Sequence, residues 1–476
     1  MSTLKKLAGA AALYGLSSIL ARLLNFLLTP LHTTVLSKSE YGAYSDLYVF
    51  IAFLMVVLTY GFETAYFRFS QKEGANAETV YSTAMWSVLG TTALFFLLLG
   101  AFYQPIAEVL RYGSRPALIL GTGCIVAMDV LAAVPFARLR AQGKAKKFVA
   151  IKTGLIVVNI ALNFLFYYFM PRWDASFDAS GIEWVLVANL GASAFMLLAL
   201  WSEWAAIRPV FDKKLWQNML LFGAPLLLAG LPGVANEMAD RFFIKYLLPA
   251  ETSLAEVGTY SAIYKLSIFL VLFNQAFRYA AEPFFFKAEG EGNARPLLAR
   301  VTRVFVGMVG LGMVCVLAGV DLIKNFIAEK YWDSLALLPV LLMANLLLAL
   351  NTQMSLAYKL VDKTHMALVI TLIGFVLTVV LNVLWIPEYG ITGAAWATLV
   401  SYFSMTVASY VLSERYYAMG YDTLGIALYL LAAGALGYFA FASSGHWGMQ
   451  LLSVVAFAGL FFWKERPDRW RNKTAV

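Results

Sequence analysis

The chain has 476 residues, of which 61% are hydrophobic and only 13% are charged, and its formal net charge is +8. Its mean hydropathy of +0.72 is higher than a soluble core requires. Apolar runs of about 20 residues recur from end to end, and this is the length of a helix that spans a bilayer core. The alternating polarity of transmembrane strands is absent from the sequence. The composition therefore predicts an all-α polytopic membrane protein.

In chain order, the apolar runs predict fourteen membrane spans. Their bounds are about 10–35, 44–67, 80–102, 116–137, 148–169, 183–203, 216–239, 257–280, 300–320, 334–357, 366–386, 391–413, 424–442 and 446–463. The loops on the amino-terminal side, together with both termini, hold about three times as many Lys and Arg residues as the opposite loops. This bias predicts that both termini are cytoplasmic.

The residue types that usually carry enzyme chemistry are sparse. Cys124 and Cys315 both lie in apolar runs, so they cannot form a disulfide framework. The three histidines are scattered, and we expect them at helix ends rather than around a metal. No catalytic triad, carboxylate pair, phosphate-binding glycine loop or large extramembrane domain is evident. The sequence therefore predicts a protein that is not an enzyme and that needs no cofactor.

An internal repeat divides the chain. The nonapeptide Glu40–Tyr48 resembles Glu256–Tyr264, and Leu162–Phe166 recurs as Leu381–Trp385 at nearly the same offset. Such a repeat is typical of a two-lobed transporter with its site between the lobes. The repeat is six helices long, an even number, so we expect a pseudo-twofold axis along the membrane normal. The predicted regions are an N-lobe at 1–210, a C-lobe at 211–415, and helices 13 and 14 with a cytoplasmic tail at 416–476.

Polar residues inside predicted spans suggest a binding cavity, because charges at bilayer depth normally face water or a partner. On span one, Ser18, Arg22 and Asn25 share a helical face. Arg22 lies near mid-span, where it either lines a wet cavity or is neutralised by a carboxylate. On span five, Lys152 aligns with Asn159 and Asn163 but is close enough to the helix end to be an anchor.

Span eight repeats this theme. Gln275 and Arg278 share a face with Tyr264, and Lys265 is about 100° away from Tyr264 around the helix. Arg278 is near a span end, so its charge can also reach the interface. Because Arg and Lys bind phosphate groups, a cavity lined by these cations predicts an anionic substrate rather than an organic cation.

Two acidic residues also lie at depth. Asp129 is inside span four, and Glu63 is in the inner third of span two. They are candidates for balancing Arg22, Lys152 or Arg278. Alternatively, one of them carries a coupling ion, either H⁺ or Na⁺.

Three segments resemble a known family. Pro387–Leu399 (PEYGITGAAWATL), Ser39–Tyr44 (SEYGAY) and Tyr60–Phe69 (YGFETAYFRF) are similar to segments of bacterial polysaccharide flippases. These flippases belong to the multidrug/oligosaccharidyl-lipid/polysaccharide exporter superfamily. The resemblance implies transport of an undecaprenyl-diphosphate-linked oligosaccharide to the outer leaflet by alternating access. It also implies substrate contacts for Arg22 on helix one and for Lys265 and Arg278 on helix eight.

The resemblance places the protein in the bacterial cytoplasmic membrane, in O-antigen, capsule or exopolysaccharide assembly. Its partners would be the lipid-linked glycan, membrane lipids and polysaccharide polymerase machinery, and no nucleic acid. Three alternatives remain: a peptidoglycan-precursor flippase, a membrane glycosyltransferase or polymerase, and a cation-coupled drug exporter.

Overall fold

The computed structural model describes residues 26–278, 294–360 and 365–466, and these residues form helices with no β-strand among them. The all-α membrane class predicted from the sequence is confirmed. The chain divides into two compact units, Met1–Phe242 and Phe243–Val476. The boundary between the units falls within one long helix. The lobe bounds predicted from the repeat stay a prediction.

The helices of the first unit begin with a short segment at the end of predicted span one. They are α1 (Thr29–Val35), α2 (Lys38–Thr59), α3 (Phe62–Ser70), α4 (Ala77–Val109), α5 (Ala117–Ala141), α6 (Ala145–Phe164), α7 (Glu183–Ala199) and α8 (Lys213–Leu247), which runs into the second unit. A π-helical turn at Leu165–Phe169 extends α6. Side-chain caps begin two of these helices, because Ser37 accepts from the backbone N–H of Glu40 and Asn76 accepts from those of Glu78 and Thr79.

The second unit continues with seven further described helices. They are α9 (Ala250–Leu266), α10 (Ile268–Arg278), α11 (Ala294–Ala318), α12 (Leu338–Leu360), α13 (His365–Tyr417), α14 (Thr423–Ala442) and α15 (Trp447–Lys464). Short helical turns at Val320–Ile323 and Glu329–Leu337 precede α12.

Ten helices in the described part of the chain are long and apolar enough to cross a membrane, or eleven if α9 and α10 are counted as one bent span. Three features separate this number from the predicted fourteen. The first predicted span lies mostly before residue 26, α7 has only 17 residues, and α13 covers two predicted spans with its 53 residues. The count of fourteen stays a prediction.

Two glycines allow α8 to pack closely against a break in predicted span two. Tyr60 and Gly61, with φ angles of 32° and 75°, separate α2 from α3. A Cβ atom on Gly61 would lie 2.9 Å from the carbonyl oxygen of Gly223, and one on Gly223 would lie 2.5 Å from that of Tyr60. The two backbones therefore approach too closely for any side chain at either glycine.

A second break lies within α13, between predicted spans eleven and twelve. Gly390 has φ 58° and ψ −139°, which interrupts the helical backbone three residues after Pro387. A Cβ atom on Gly393 would lie 2.5 Å from the carbonyl oxygen of Trp385. Glycine is therefore required at position 393, because the kinked backbone leaves no room there for a Cβ atom.

Helices α14 and α15 are fastened to α11 at one end by an ionic cluster. Arg303 of α11 donates to Asp422 at 2.8 Å and to both carboxylate oxygens of Glu465 at 2.8 and 2.6 Å. Tyr429 of α14 donates to Glu465 at 2.9 Å. The cluster joins four residues from the three helices and their ends, so it fixes the register of all three.

The other end of α11 is fastened to the α14–α15 connection by Asp321. Its carboxylate accepts hydrogen bonds from the Ser444 hydroxyl at 2.6 Å, the Gly445 N–H at 2.8 Å and the Gln450 amide at 3.0 Å. The Ser444 hydroxyl leads these donors in holding the pKa of Asp321 well below its ordinary value. Predicted helices 13 and 14 are therefore held to α11 at both ends.

Candidate functional site

The predicted cationic face of span one lies outside the described residues. Ser18, Arg22 and Asn25 all precede residue 26, so their predicted role as cavity residues stays a prediction. The last part of this span is described as α1. His32 lies in its last turn and is 3% exposed. His446 lies immediately before α15, so it and His32 occupy helix ends as expected, while His365 is the first residue described after the gap at 361–364.

Lys152 and Asp129 lie in the first unit, where α5, α6 and α7 pack together. The ammonium nitrogen of Lys152 is 4.2 Å from the ring centroid of Phe136 on α5, which is cation–π geometry. Asp129 accepts a hydrogen bond of 2.9 Å from the Ser193 hydroxyl on α7. Lys152 and Asp129 also interact electrostatically. A cation and a carboxylate are thus brought together within the helix pack, each with a polar or aromatic contact of its own.

The sequence suggested Arg22, Lys152 or Arg278 as the cation that Glu63 balances, but the structure gives this carboxylate a different partner. It forms an ion pair with Arg140, at the end of α5. Arg140 belongs to a basic cluster between predicted spans four and five, which consists of Arg138, Arg140, Lys144, Lys146 and Lys147. Two other members of that cluster also contact carboxylates: Arg138 pairs with Glu203 at 3.0 Å, and Lys147 pairs with the same residue at 2.9 Å. Three of the basic side chains are therefore used in ion pairs within the unit.

The residues predicted on span eight lie on a bent element. Helices α9 and α10 meet at a bend of 49°. Lys265 lies in the last turn of α9, where a cation is favourable to the helix dipole, and Gln275 and Arg278 lie on α10. All three are half-buried. The straight-helix spacing that aligns Tyr264 with Gln275 and Arg278 does not hold across this bend, so these residues do not form one continuous helical face.

The bend is held by a neighbouring helix. Asn345 of α12 donates from its amide to the Ser267 hydroxyl at 3.0 Å, and that hydroxyl donates to the backbone carbonyl of Tyr264 at 2.7 Å. Both Asn345 and Ser267 are buried. A fixed bend immediately after Lys265 places this cation at the end of a half-helix.

A buried chain of amide side chains was not predicted as a unit. Asn163 and Asn159 lie one turn apart on α6, and Asn159 donates to Asn189 of α7 at 2.8 Å. Asn163 accepts a hydrogen bond of 2.7 Å from His32. The spacing of Asn159 and Asn163, and the recurrence of Asn163 in the repeat, are visible in the sequence. The contact with His32 is not, because the two residues are 131 positions apart.

The described residues contain no group of three or more His, Cys, Asp or Glu side chains arranged to hold a metal ion. What this part of the chain does contain is a set of polar side chains on α6, which is long and apolar enough to cross a membrane, and on its neighbours. Such residues are rare in membrane helices and are normally retained for transport or for proton and ion movement.

Three solved structures share the fold over most of the chain. A lipid II flippase, MurJ, in an inward closed conformation has a TM-score of 0.73 at 14% identity, and the match covers 95% of this chain and 99% of that one. A multidrug resistance MATE transporter in an inward-facing conformation gives 0.66 at 15% identity, covering 85% and 96%. A mutant of the Vibrio cholerae MATE transporter VcmN gives 0.54 at 15% identity, covering 88% and 96%.

At these identities the structural matches establish the fold alone, which is that of the MurJ and MATE proteins. No curated protein sequence matches the chain. The sequence model of one protein family, described as "Polysaccharide biosynthesis protein", matches residues 7–289, which is more than half of the chain. The chain belongs to this family of polysaccharide biosynthesis proteins, which agrees with the resemblance seen in the sequence.

Proposed function

We propose that the protein is a flippase that moves an undecaprenyl-diphosphate-linked oligosaccharide from the inner to the outer leaflet of the bacterial cytoplasmic membrane. The observation that carries this proposal is the family match over residues 7–289. It is supported by the shared fold with a lipid II flippase, whose cargo is also a glycolipid. The family and the structural neighbours are flippases and transporters, which favours transport over glycosyl transfer.

The substrate contacts of this proposal come from cations at bilayer depth. We assign the diphosphate to Arg22, Lys152, Lys265 and Arg278, because Arg and Lys are the side chains that bind phosphate oxygens. Ser18, Asn25 and Gln275 would donate hydrogen bonds beside them. Alternating access would carry the sugar-diphosphate head group across while the prenyl chain stays in lipid.

Energy for directional transport would come from a cation gradient. Of the two predicted carboxylates, Asp129 is the stronger candidate for transmitting the charge of a bound ion to the phosphate contacts, because it interacts electrostatically with Lys152. Glu63 is engaged by Arg140. A positive charge gained near Asp129 would change the field on Lys152, and so its affinity for phosphate.

The main alternative cargo is a peptidoglycan-precursor lipid, which the fold match also favours. Both cargoes place a diphosphate next to a sugar, so the same cations would serve. In either case the termini would be cytoplasmic, and a polysaccharide polymerase would be the partner only for the first cargo. Drug export is disfavoured because organic cations would be repelled by the proposed contacts.

The test is export of surface polysaccharide in a null strain complemented with variants, together with leaflet exposure of the lipid-linked glycan. We expect Arg22→Ala and Lys265→Ala each to reduce flipping about ten- to hundredfold, since a charge-assisted hydrogen bond contributes about 1.5–3 kcal/mol. Arg22→Lys should retain more activity than alanine, because the charge remains while the bidentate geometry is lost.

The matched control is Lys214→Ala, which removes an exposed lysine at the start of α8 and should leave export unchanged. Wild-type export by both cavity variants at normal expression would remove these residues from the proposed site. Complementation of a strain that lacks its peptidoglycan-precursor flippase would instead assign the alternative cargo.

A further inference from the structure

A hydrogen-bonded relay runs from α1 across α6 to α7. The His32 Nε2 atom is 2.7 Å from the Asn163 Oδ1 atom. The amide nitrogen of Asn163 donates to the side-chain oxygen of Asn159 at 3.1 Å, and that of Asn159 donates to the side-chain oxygen of Asn189 at 2.8 Å. The relay ends where Asn189 donates to the backbone carbonyl of Val185 at 2.8 Å. A titratable imidazole thus lies at one end of three linked amides.

The amide orientations in the relay are fixed by groups that can only accept. A backbone carbonyl has no proton to donate, so the NH₂ group of Asn189 must face Val185. The backbone carbonyl of Asn159 fixes Asn163 in the same way, since the Asn163 NH₂ group also donates to it at 2.8 Å. The Asn163 oxygen therefore faces His32. It follows that the Nε2 atom of His32 carries a proton and donates it to this oxygen.

With Nε2 committed as a donor, the proton that His32 gains or loses is the one on Nδ1. The neutral ring has a proton on Nε2 alone, and the imidazolium has protons on both nitrogens. The bond to Asn163 persists in both forms and becomes charge-assisted when the ring is protonated. The relay therefore holds the imidazole in place without forcing it to be neutral.

The surroundings of His32 also accommodate a positive charge. The ring of Tyr44 on α2 lies 5.3 Å from the imidazole and that of Tyr167, in the π-helical turn after α6, lies 6.0 Å away, both with steeply inclined planes. These separations are within the range over which an aromatic ring attracts a cation. His32 is only 3% exposed, so its burial opposes the charged ring, and the contacts with Asn163 and the two tyrosines must offset that cost.

Charged groups approach this region from two sides. Near Tyr167, the carboxylates of Glu40 and Glu183 flank Arg115, with ion pairs of 2.8 and 3.4 Å. On the other side, the ring centroid of Tyr48 lies 4.6 Å from that of Tyr44 on the same helix, and Tyr48 interacts electrostatically with Asp129. Lys152 in turn interacts electrostatically with Asp129. The ring contact of Tyr44 with Tyr48 therefore connects the surroundings of His32 with the carboxylate and lysine of the candidate site.

We propose that His32 is a proton-binding site and that the ion coupled to transport is a proton bound there. This inference rests on the proposed function and names its coupling ion. Protonation forms an N–H bond at Nδ1, turns the imidazole into an imidazolium, and adds one positive charge to a buried polar network. Loss of that proton on the side of lower proton concentration restores the neutral ring. By linkage, any step that changes the field on the relay changes proton affinity at His32.

The first experiment follows protonation directly and needs no substrate. The chain has three histidines, and His365 and His446 are both exposed. In the full-length His365→Gln/His446→Gln protein in lipid bilayers, nitrogen-15-labelled histidine therefore reports on His32 alone. We expect the neutral Nε2–H tautomer at high pH and the doubly protonated ring at low pH, with one transition between about pH 5 and 8. A ring that keeps one charge state, or a neutral Nδ1–H tautomer, overturns the proposal.

The second experiment measures the pH dependence of transport. For a group with the ordinary histidine pKa of about 6.5, the charged fraction changes about tenfold between pH 5.5 and 7.5. We expect a change of that order in the initial flipping rate of the wild type and of the His365→Gln/His446→Gln control, and less than about twofold in His32→Gln. A pH profile in His32→Gln equal to that of the control refutes coupling at this residue.

The two experiments separate failure of the inference from failure of the proposed function. If His32 titrates but no glycolipid is moved under any condition, the proposed function is wrong and the proton site remains. If glycolipid is moved in a sodium-dependent manner that is indifferent to pH and to His32→Gln, the function stands and the proton-coupling inference falls. Asn163→Leu supplies a further variant, because it leaves the imidazole present but removes its acceptor. We expect it to abolish the Nε2–H preference.

Discussion

Replacing Arg138 should destabilise the first unit, because this buried arginine holds together the ion pairs at the end of α5. Arg138 is 7% exposed and donates to Glu203 at 3.0 Å and to both carboxylate oxygens of Glu78 at 2.9 and 3.2 Å. Its guanidinium also lies 4.4 Å from the ring centroid of Tyr81. These contacts join the end of α5 to the start of α4 and to the residues after α7.

The size of the effect depends on what Arg138→Met leaves behind. Removing one partner of a buried ion pair typically costs about 3–5 kcal/mol. Glu203 is 2% exposed but keeps Lys147 as a partner at 2.9 Å, so the loss should fall at the lower end of that range. We expect about 3 kcal/mol, which lowers the melting temperature of a unit of this size by about 6–12 °C.

The assay is thermal unfolding of the purified full-length protein in detergent, followed with a thiol-reactive dye. In a Cys315→Ser background the only cysteine is Cys124, which lies half-buried on α5 and reports unfolding of the first unit. The control variant is Arg208→Met, which replaces an exposed arginine of the same unit and should change stability by less than about 0.5 kcal/mol.

A double variant tests the physical reason. In Arg138→Met/Glu203→Gln the buried carboxylate is neutral, so most of the lost stability should return if an uncompensated charge is the cause. The reasoning is refuted if Arg138→Met melts within about 1 °C of the Arg208→Met control. It is also refuted if the double variant is as unstable as the single one, which would mean that packing against Tyr81 dominates.

Two further predictions concern the second unit. The depressed pKa of Asp321 stabilises the folded state above the ordinary aspartate pKa of about 3.9, and this contribution is lost as the pH falls from there toward the folded value. The difference in melting temperature between wild type and Asp321→Asn should therefore be constant from pH 7 to 5 and shrink only below about pH 4; a difference that vanishes by pH 6 contradicts the assignment. Gly393→Ala should lower the melting temperature, because its Cβ would lie 2.5 Å from the Trp385 carbonyl oxygen. Gly434→Ala, on α14 with no atom within 4 Å of its Cβ, should leave it unchanged or raise it, and equal losses for both would show that helix propensity rather than contact decides.

The helices could be predicted from the sequence because hydropathy acts locally. A run of about 20 apolar residues must form a helix in lipid, whatever its neighbours are. The breaks were harder to predict, since Gly61 and Ser267 interrupt apolar runs through contacts with α8 and α12 respectively. The bend at Ser267 depends on Asn345, 78 positions away, and no local pattern indicates it.

The polar contacts were predictable in kind but not in partner. Charged residues at depth were identified from their position alone, and the need for a neutralising group follows from the cost of burying charge. Which carboxylate serves which cation depends on the tertiary arrangement. Glu63 thus pairs with Arg140, which was not among the cations considered as its partner. His32 had no feature in the sequence that distinguished it from an interfacial histidine.

The polar residues of α6 lie in an order that favours movement of charge along this helix. The stretch from Lys147 through Lys152 and Asn159 to Asn163 has 17 residues and is about 24 Å long at a rise of 1.5 Å per residue, most of the thickness of a bilayer core. At one end Lys147 contacts Glu203, in the middle Lys152 interacts with Asp129, and at the other end Asn163 accepts from His32. An apolar helix with only structural duties would not carry a polar group at each of these depths, because each one is unfavourable in lipid without a partner. The partners come from three other elements of the same unit, so a charge gained at His32 alters the balance of a network that continues toward the residues proposed to bind phosphate.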